Sequence, residues 1–141
     1  MTGLKTIRPS ESYLFVLPDN VCEEYDGGVS SFWLNGSPLL LQLSSYLRNE
    51  GTQVGARERL RQRMAKHAER WTIWNEKICP EMLTDEATGD FLDDKGVLWI
   101  HTYLVWPHLA IYATISGPPN EVLNPNNWAR QALRSIRFIN K

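Results

Sequence analysis

The chain has 141 residues, of which 43% are hydrophobic and 22% charged. That is one domain's worth of sequence with enough apolar content for a real core, and it excludes a disordered chain. Lys and Arg total 15 against 16 Asp and Glu, so the net charge of −1 gives no general pull toward nucleic acid or an anionic surface, and no apolar run is long enough to insert in a membrane.

Residues 1–12 are polar and read as loosely ordered or as a short helical turn. They lack the apolar core of a signal peptide, and Met1 begins the chain, so a cytoplasmic location is expected. Residues 13–17 (YLFVL) read as a short strand stopped by Pro18-Asp19-Asn20, while 21–25 show no clear preference. Gly27-Gly28 marks a turn. Residues 29–34 (VSSFWL) and 39–47 (LLLQLSSYL) then read as a hairpin around the turn at 35–38. Asn35-Gly36-Ser37 matches a glycosylation acceptor, but Asn-Gly fits a turn better.

Spacing predicts a helix over 54–71, with Leu60, Met64, His67 or Ala68, and Trp71 on one apolar stripe and Thr52 as N-cap. Residues 72–78 resume strand character, limited by Pro80. Residues 86–92 form a weaker strand with Gly89 inside it, and Asp93-Asp94-Lys95-Gly96 is a turn into the strongest signal of the chain, residues 97–116.

That stretch is dominated by β-branched and aromatic residues and is interrupted by Pro107, which cannot donate to a ladder. Placing the turn at 106–109 pairs Leu104 with Ile111, Thr102 with Ala113 and Ile100 with Ile115. One face then carries Leu98, Ile100, Leu104, Ile111, Ala113 and Ile115 and is core. The other carries Trp99, His101, Tyr103, Val105, Ala110, Tyr112, Thr114 and Ser116, aromatic residues with polar tips. Either a helix or terminal segment covers this second face, or it is exposed to a partner.

After Gly117-Pro118-Pro119-Asn120, Asn124 as N-cap and Pro125 at the first helical position predict a helix over 125–135. Trp128, Ala132 and Ile136, or Ala129 and Leu133, would face inward. Residues 136–139 (IRFI) read as a last short strand or docked tail. The expected fold is α+β, a largely antiparallel sheet with helices packed on its faces, in a single domain over 1–141.

FVLPDN near the start, one central helix, LAIYATISGP, and Trp128 ahead of LRSIRF resemble the PsbP-like α/β/α sandwich superfamily. That resemblance implies an architecture shared by proteins with no common chemistry. Among its members, Eag-type chaperones of type VI secretion are similar in length and act in the cytoplasm. They imply a homodimer that binds apolar segments of a secreted effector. Many members have Trp soon after LPD. Here Asn20-Val21 stands there, so no functional residue carries over.

Signatures of catalysis are absent: there is no GxSxG, P-loop, GxGxxG or HExxH. His101 and His108 lie on one hairpin but several residues apart, and Cys22 and Cys79 are not spaced to complete a zinc site. The two cysteines are expected free and buried. Asp85, Glu86, Asp90, Asp93 and Asp94 make an acidic segment, but Ala87 breaks a calcium-loop pattern. No metal or cofactor is expected.

On the central helix, Arg59, Arg63, Lys66 and Arg70 form a basic stripe beside the apolar one. It is either a docking ridge for an acidic protein or a phosphate backbone, of which nucleic acid is disfavoured by the net charge and the lack of interleaved aromatics, or a solvated face partly paired with the acidic segment at 81–94. The reading adopted is a non-enzymatic protein-binding module, chaperone- or adaptor-like. Trp99, His101, Tyr103 and Tyr112 hold another protein, and Arg59, Arg63, Lys66 and Arg70 make a secondary charged contact. Two alternatives are an immunity protein that neutralises a toxin, and a small-molecule-binding protein or minor enzyme.

Overall fold

A computed structural model describes residues 3–47, 55–65, 70–74, 78 and 85–139. In chain order the elements are β1 (Leu4–Ile7), β2 (Tyr13–Pro18), β3 (Cys22–Asp26), β4 (Val29–Trp33), β5 (Leu40–Leu47), α1 (Ala56–Met64), β6 (Trp71–Ile73), β7 (Asp85–Leu92), β8 (Leu98–Val105), β9 (Leu109–Gly117), α2 (Pro119–Val122), α3 (Trp128–Arg134) and β10 (Arg137–Phe138). They form a seven-stranded sheet in the order β3-β4-β5-β9-β8-β7-β6 and a three-stranded sheet in the order β1-β2-β10. All pairings are antiparallel. The fold is therefore α+β, as the alternation of hairpin signals and helical spacing predicts.

The β8–β9 hairpin lies at the middle of the large sheet. Its register pairs Leu104 with Ile111, Thr102 with Ala113 and Ile100 with Ile115, as read from the position of Pro107. Trp106 and Leu109 exchange backbone hydrogen bonds of 2.8 and 3.4 Å, leaving Pro107 and His108 as an exposed two-residue loop. The β7–β8 turn is held by Asp93, whose carboxylate accepts from the backbone N–H groups of Lys95 (2.8 Å) and Val97 (3.0 Å) and from the Trp99 indole (3.0 Å). The Trp99 bond leads in holding the Asp93 carboxyl below its ordinary range. Gly96 takes the left-handed conformation the turn needs, at φ 82°.

The hairpin face carrying Ile100, Leu104, Ile111, Ala113 and Ile115 is fully buried. It packs with Phe32, Leu41 and Leu43 of β4 and β5, with Phe15 and Leu17 of β2, and with Val122, Ala129, Ala132 and Leu133 of the C-terminal helices. On this side the large sheet is covered by the small sheet together with α2 and α3. Among the described residues, the opposite face is covered only in part, by α1.

Several sequence readings are corrected. Residues 4–7 are not loosely ordered: they pair with β2 from Leu4↔Pro18 to Ile7↔Phe15, and Ile7 is buried in the core. Residues 22–26 are a strand, because β4 needs a partner on its outer edge. Helix α1 ends at Met64, and Trp71 belongs to β6 instead, stacked on Phe91 at 5.3 Å across the β6–β7 pair. His67, Ala68 and the N-cap candidate Thr52 lie outside the described residues. The N-cap is Gly55, which has no side chain to offer, and Asp85 of β7 accepts the Ala56 N–H at 2.7 Å in its place. Of the strand expected over 72–78, the described part is the short β6, and 75–77 lie outside the described residues. Ile78 instead donates its backbone N–H to the Glu86 carboxylate at 2.6 Å.

At the C-terminal end, α3 starts at Trp128 with Asn127 as N-cap, its side chain accepting from the Arg130 N–H at 2.7 Å. Asn124 makes an earlier turn by accepting from the Asn126 N–H, and Pro119 opens the separate α2. Trp128 is half-buried, its indole donating to Ser37 at 3.0 Å. The short strand read at 136–139 is β10, paired through Arg137↔Leu14 and Phe138↔Tyr13. No helix among the described residues is long and apolar enough to cross a membrane.

Candidate functional site

Strand register resolves the second face of the large sheet into rows that run across the strands. One row holds Trp71, Phe91, Trp99, Ser116, Leu40 and Trp33. The next holds Ile73, Gly89, His101, Thr114, Gln42 and Ser31, and the third Ala87, Tyr103, Tyr112, Ser44 and Val29. The last holds Asp85, Val105, Ala110 and Tyr46. Among the described residues, part of this face is covered and part is open to solvent.

Helix α1 lies over the β7–β8 side of the third and fourth rows. Ala56, Leu60 and Met64 pack with Ala87, Tyr103, Val105 and Ala110 into a second apolar cluster. Gly89 permits this: a Cβ there would lie 2.9 Å from the Thr72 carbonyl and 3.3 Å from Leu60, so the position admits β6 and α1 only without a side chain. Tyr103 is consequently 7% exposed and belongs to the covered part. Trp99, His101 and Tyr112 are half-buried, while Val29 and Tyr46 are exposed.

Between α1 and Trp99 lies a groove of about 320 Å³, lined by Val29, Gln42, Ser44, Tyr46, Arg63, Trp99, His101, Tyr112 and Thr114. Three of the four expected aromatic-face residues therefore meet around one depression, and Tyr103 forms its buried flank. Another cavity, of about 400 Å³, lies between the β3–β4 turn and the start of β2, and none of the expected site residues lines it.

His101 and Tyr112 are hydrogen-bonded through Nδ1 and the phenol oxygen. The His101 ring also meets the Trp71 indole edge-on at 4.7 Å. Burial first, and then the Arg63 charge, push the His101 pKa down to about 4, so the ring is neutral at pH 7. Burial likewise raises the Tyr112 phenol well above its ordinary value. The pair is a neutral polar group set in an aromatic floor.

Of the basic stripe, Arg63 is the residue that joins this site. Its guanidinium lies 4.4 Å above the Tyr112 ring and its Nε–H donates to the Tyr103 hydroxyl at 3.0 Å. That bond leads in raising the Arg63 pKa. Arg70 stands beyond the helix and pairs with Asp94 at 2.8 Å, an exposed contact of little energetic weight. Arg59 is half-buried on α1, and Lys66 lies outside the described residues. His108 sits in the exposed hairpin loop, away from His101. Among the described residues, no group of three or more His, Cys, Asp or Glu side chains could hold a metal. Cys22 is free and half-buried on the β3 edge, and Cys79 lies outside the described residues.

Sequence reasoning missed Val29, Gln42, Ser44 and Tyr46, which make the far wall of the groove. Alternation along 39–47 does place Leu40, Gln42, Ser44 and Tyr46 on one half-polar face, but only the β5–β9 pairing brings that face beside Tyr112.

No protein-family model matches the chain, and no curated protein matches it. The whole chain is similar in structure to part of a protein from Bacteroides thetaiotaomicron VPI-5482 solved by crystallography, with a TM-score of 0.65 at 14% identity. The match covers 100% of this chain and 50% of that one, so the chain spans half that protein's length. This likeness shows the fold alone.

Proposed function

We propose that this chain is a non-enzymatic protein-binding module, chaperone- or adaptor-like, that holds an apolar segment of a partner on the open part of its aromatic sheet face. One observation carries the reading: α1 covers only part of that face. Trp99, Tyr112, Tyr46, Val29, Leu40 and Trp33 therefore keep solvent access on a rigid seven-stranded support. Aromatic residues that combine an apolar body with a polar tip are favoured where one side of a surface is alternately wet and covered. The resemblance to the PsbP-like superfamily supports the same reading, since the Eag-type members hold apolar segments of effectors.

Tyr46→Ala with Val29→Ser is the variant of choice to test it, because both positions are exposed. Purification of the tagged protein from its native lysate is expected to yield one stoichiometric partner, and the folded double variant to retain at least tenfold less of it. Equal retention by the folded variant would place the contact elsewhere and sink the proposal.

The neutral His101–Tyr112 pair on the groove floor favours a second reading, a site for a small ligand, whose volume fits the lower end of ligand pockets. A large, specific thermal shift with one member of a metabolite panel, absent in Tyr112→Phe, would support it over protein binding.

A further inference from the structure

We infer that the groove selects a carboxylate: the partner segment carries an Asp or Glu side chain, flanked by apolar residues, that docks on the outer edge of the Arg63 guanidinium. This rests on the protein-binding reading and adds to it the chemistry of what is bound.

Four observations lead there. First, Arg63 is oriented before any ligand arrives. A hydrogen bond to the Tyr103 hydroxyl and the face of the Tyr112 ring fix the guanidinium from two directions. Tyr103 is itself held under α1 and stacks on Tyr112 at 4.7 Å. Little side-chain freedom remains to be lost on binding.

Second, that arrangement engages Nε alone. Among the described residues, Arg63 makes no ion pair, and the two terminal nitrogens have no hydrogen-bond partner. A guanidinium has five N–H donors in a planar fork. With Nε used, the edge bearing the two terminal nitrogens is the one left, and its spacing matches the two oxygens of one carboxylate.

Third, the residue remains exposed although Tyr103 is buried and Tyr112 half-buried, so that edge is reachable from the groove. The surroundings are low in competing charge. His101 is neutral, and no other described residue that lines the groove besides Arg63 carries a charge. A cation on an aromatic floor with no acidic neighbour among the described residues calls for an acidic ligand group.

Fourth, one charge and a short groove match one side chain and not a polyanion. Arg70 does not line the groove and pairs with Asp94 at the surface. The apolar row through Trp99 runs roughly 13 Å from the Tyr103 row at strand rise. A segment seated between them rests apolar groups toward Trp99 and presents its acidic group to Arg63.

The test uses three pools of end-blocked twelve-residue peptides, randomised over Leu, Phe, Val, Ala, Gly and Ser and identical except for a central Glu, Gln or Lys. Retention on the immobilised full chain is quantified by mass spectrometry. The Glu pool is expected to be retained about tenfold over the Gln pool, the size of a charged hydrogen bond in a partly open site, and the Lys pool least. In Arg63→Gln the Glu preference should vanish, while in Tyr103→Phe, which frees the guanidinium without removing it, it should shrink. Equal retention of Glu and Gln pools overturns the carboxylate inference and leaves the aromatic-face reading standing. If no pool is retained above a β-sheet protein control, both fall. If Arg63→Gln, folded by circular dichroism, keeps the Glu preference, the acid is read elsewhere and the inference fails.

Discussion

His101 sits where three side chains from three elements meet: Tyr112 of β9 on its Nδ1, Trp71 of β6 against its edge, and Arg63 of α1 repelling a proton from above. In the folded protein its pKa lies near 4, whereas in the unfolded chain it returns to about 6.5. Between those values the unfolded state binds the extra proton. Stability therefore falls as pH drops from about 6.5 to about 4 and is indifferent to this group above and below that window. The loss is on the order of 2–3 kcal/mol. His101→Gln keeps a polar partner for Tyr112 and removes the titration. Urea unfolding at pH 7 and pH 4.5 should show the wild type losing more stability than the variant. Carboxyls such as Asp93 and Glu23, which are also held low, act in both proteins alike and cancel in the comparison. Equal acid sensitivity of the two proteins would mean that His101 is hydrated and not desolvated.

Among the elements, α1 decides how much of the aromatic face remains open, and its position depends on two residues of β7. Asp85 supplies the cap that Gly55 cannot, and Gly89 supplies the space that Leu60 and Thr72 occupy. Asp85→Ala should cost about 1 kcal/mol, as loss of an N-cap does. Gly89→Val forces a side chain against the Thr72 carbonyl and should part β6 from β7 before the rest of the sheet. Amide exchange would report this as loss of protection in Trp71–Ile73 and α1, and uniform loss across β7, β8 and β9 would contradict it. These two elements also mark the limit of what the sequence discloses. The β8–β9 register is legible because Pro107 fixes the turn and period-2 alternation fixes the rest, both within 20 residues. Trp71 falls on the helical stripe of Leu60 and Met64 by spacing alone. Only its stacking on Phe91 across the strand pair, a contact between segments, draws it into a strand. The groove is legible on one side for the same reason: Trp99, His101 and Tyr112 are local to one hairpin. Its other wall is brought in by β5, and no local pattern specifies that pairing.

At the scale of the molecule, the large sheet is two meanders, β3-β4-β5 and β6-β7-β8-β9, joined along one seam. β8 and β9 close through a two-residue loop, whereas β5 meets β9 from about 70 residues away in sequence, with α1, β6, β7 and β8 intervening. Chain entropy opposes the seam far more than the loop. The outer edge of β4 is filled by β3, whose Glu23, Glu24 and Asp26 discourage pairing with a further chain. The seam is thus expected to form late in assembly, after the central hairpin and its β7 neighbour. Leu104 and Leu41 are both fully buried, one in the hairpin and one at the seam. Truncating either to Ala should cost on the order of 3 kcal/mol. The kinetic effects should differ: Leu104→Ala should slow folding by at least half its equilibrium effect, and Leu41→Ala should mainly accelerate unfolding. Denaturant-dependent stopped-flow rates on the two variants decide the matter. If Leu41→Ala slows folding as much as Leu104→Ala, the seam forms in the transition state, and the groove wall that it carries is built with the hairpin and not after it.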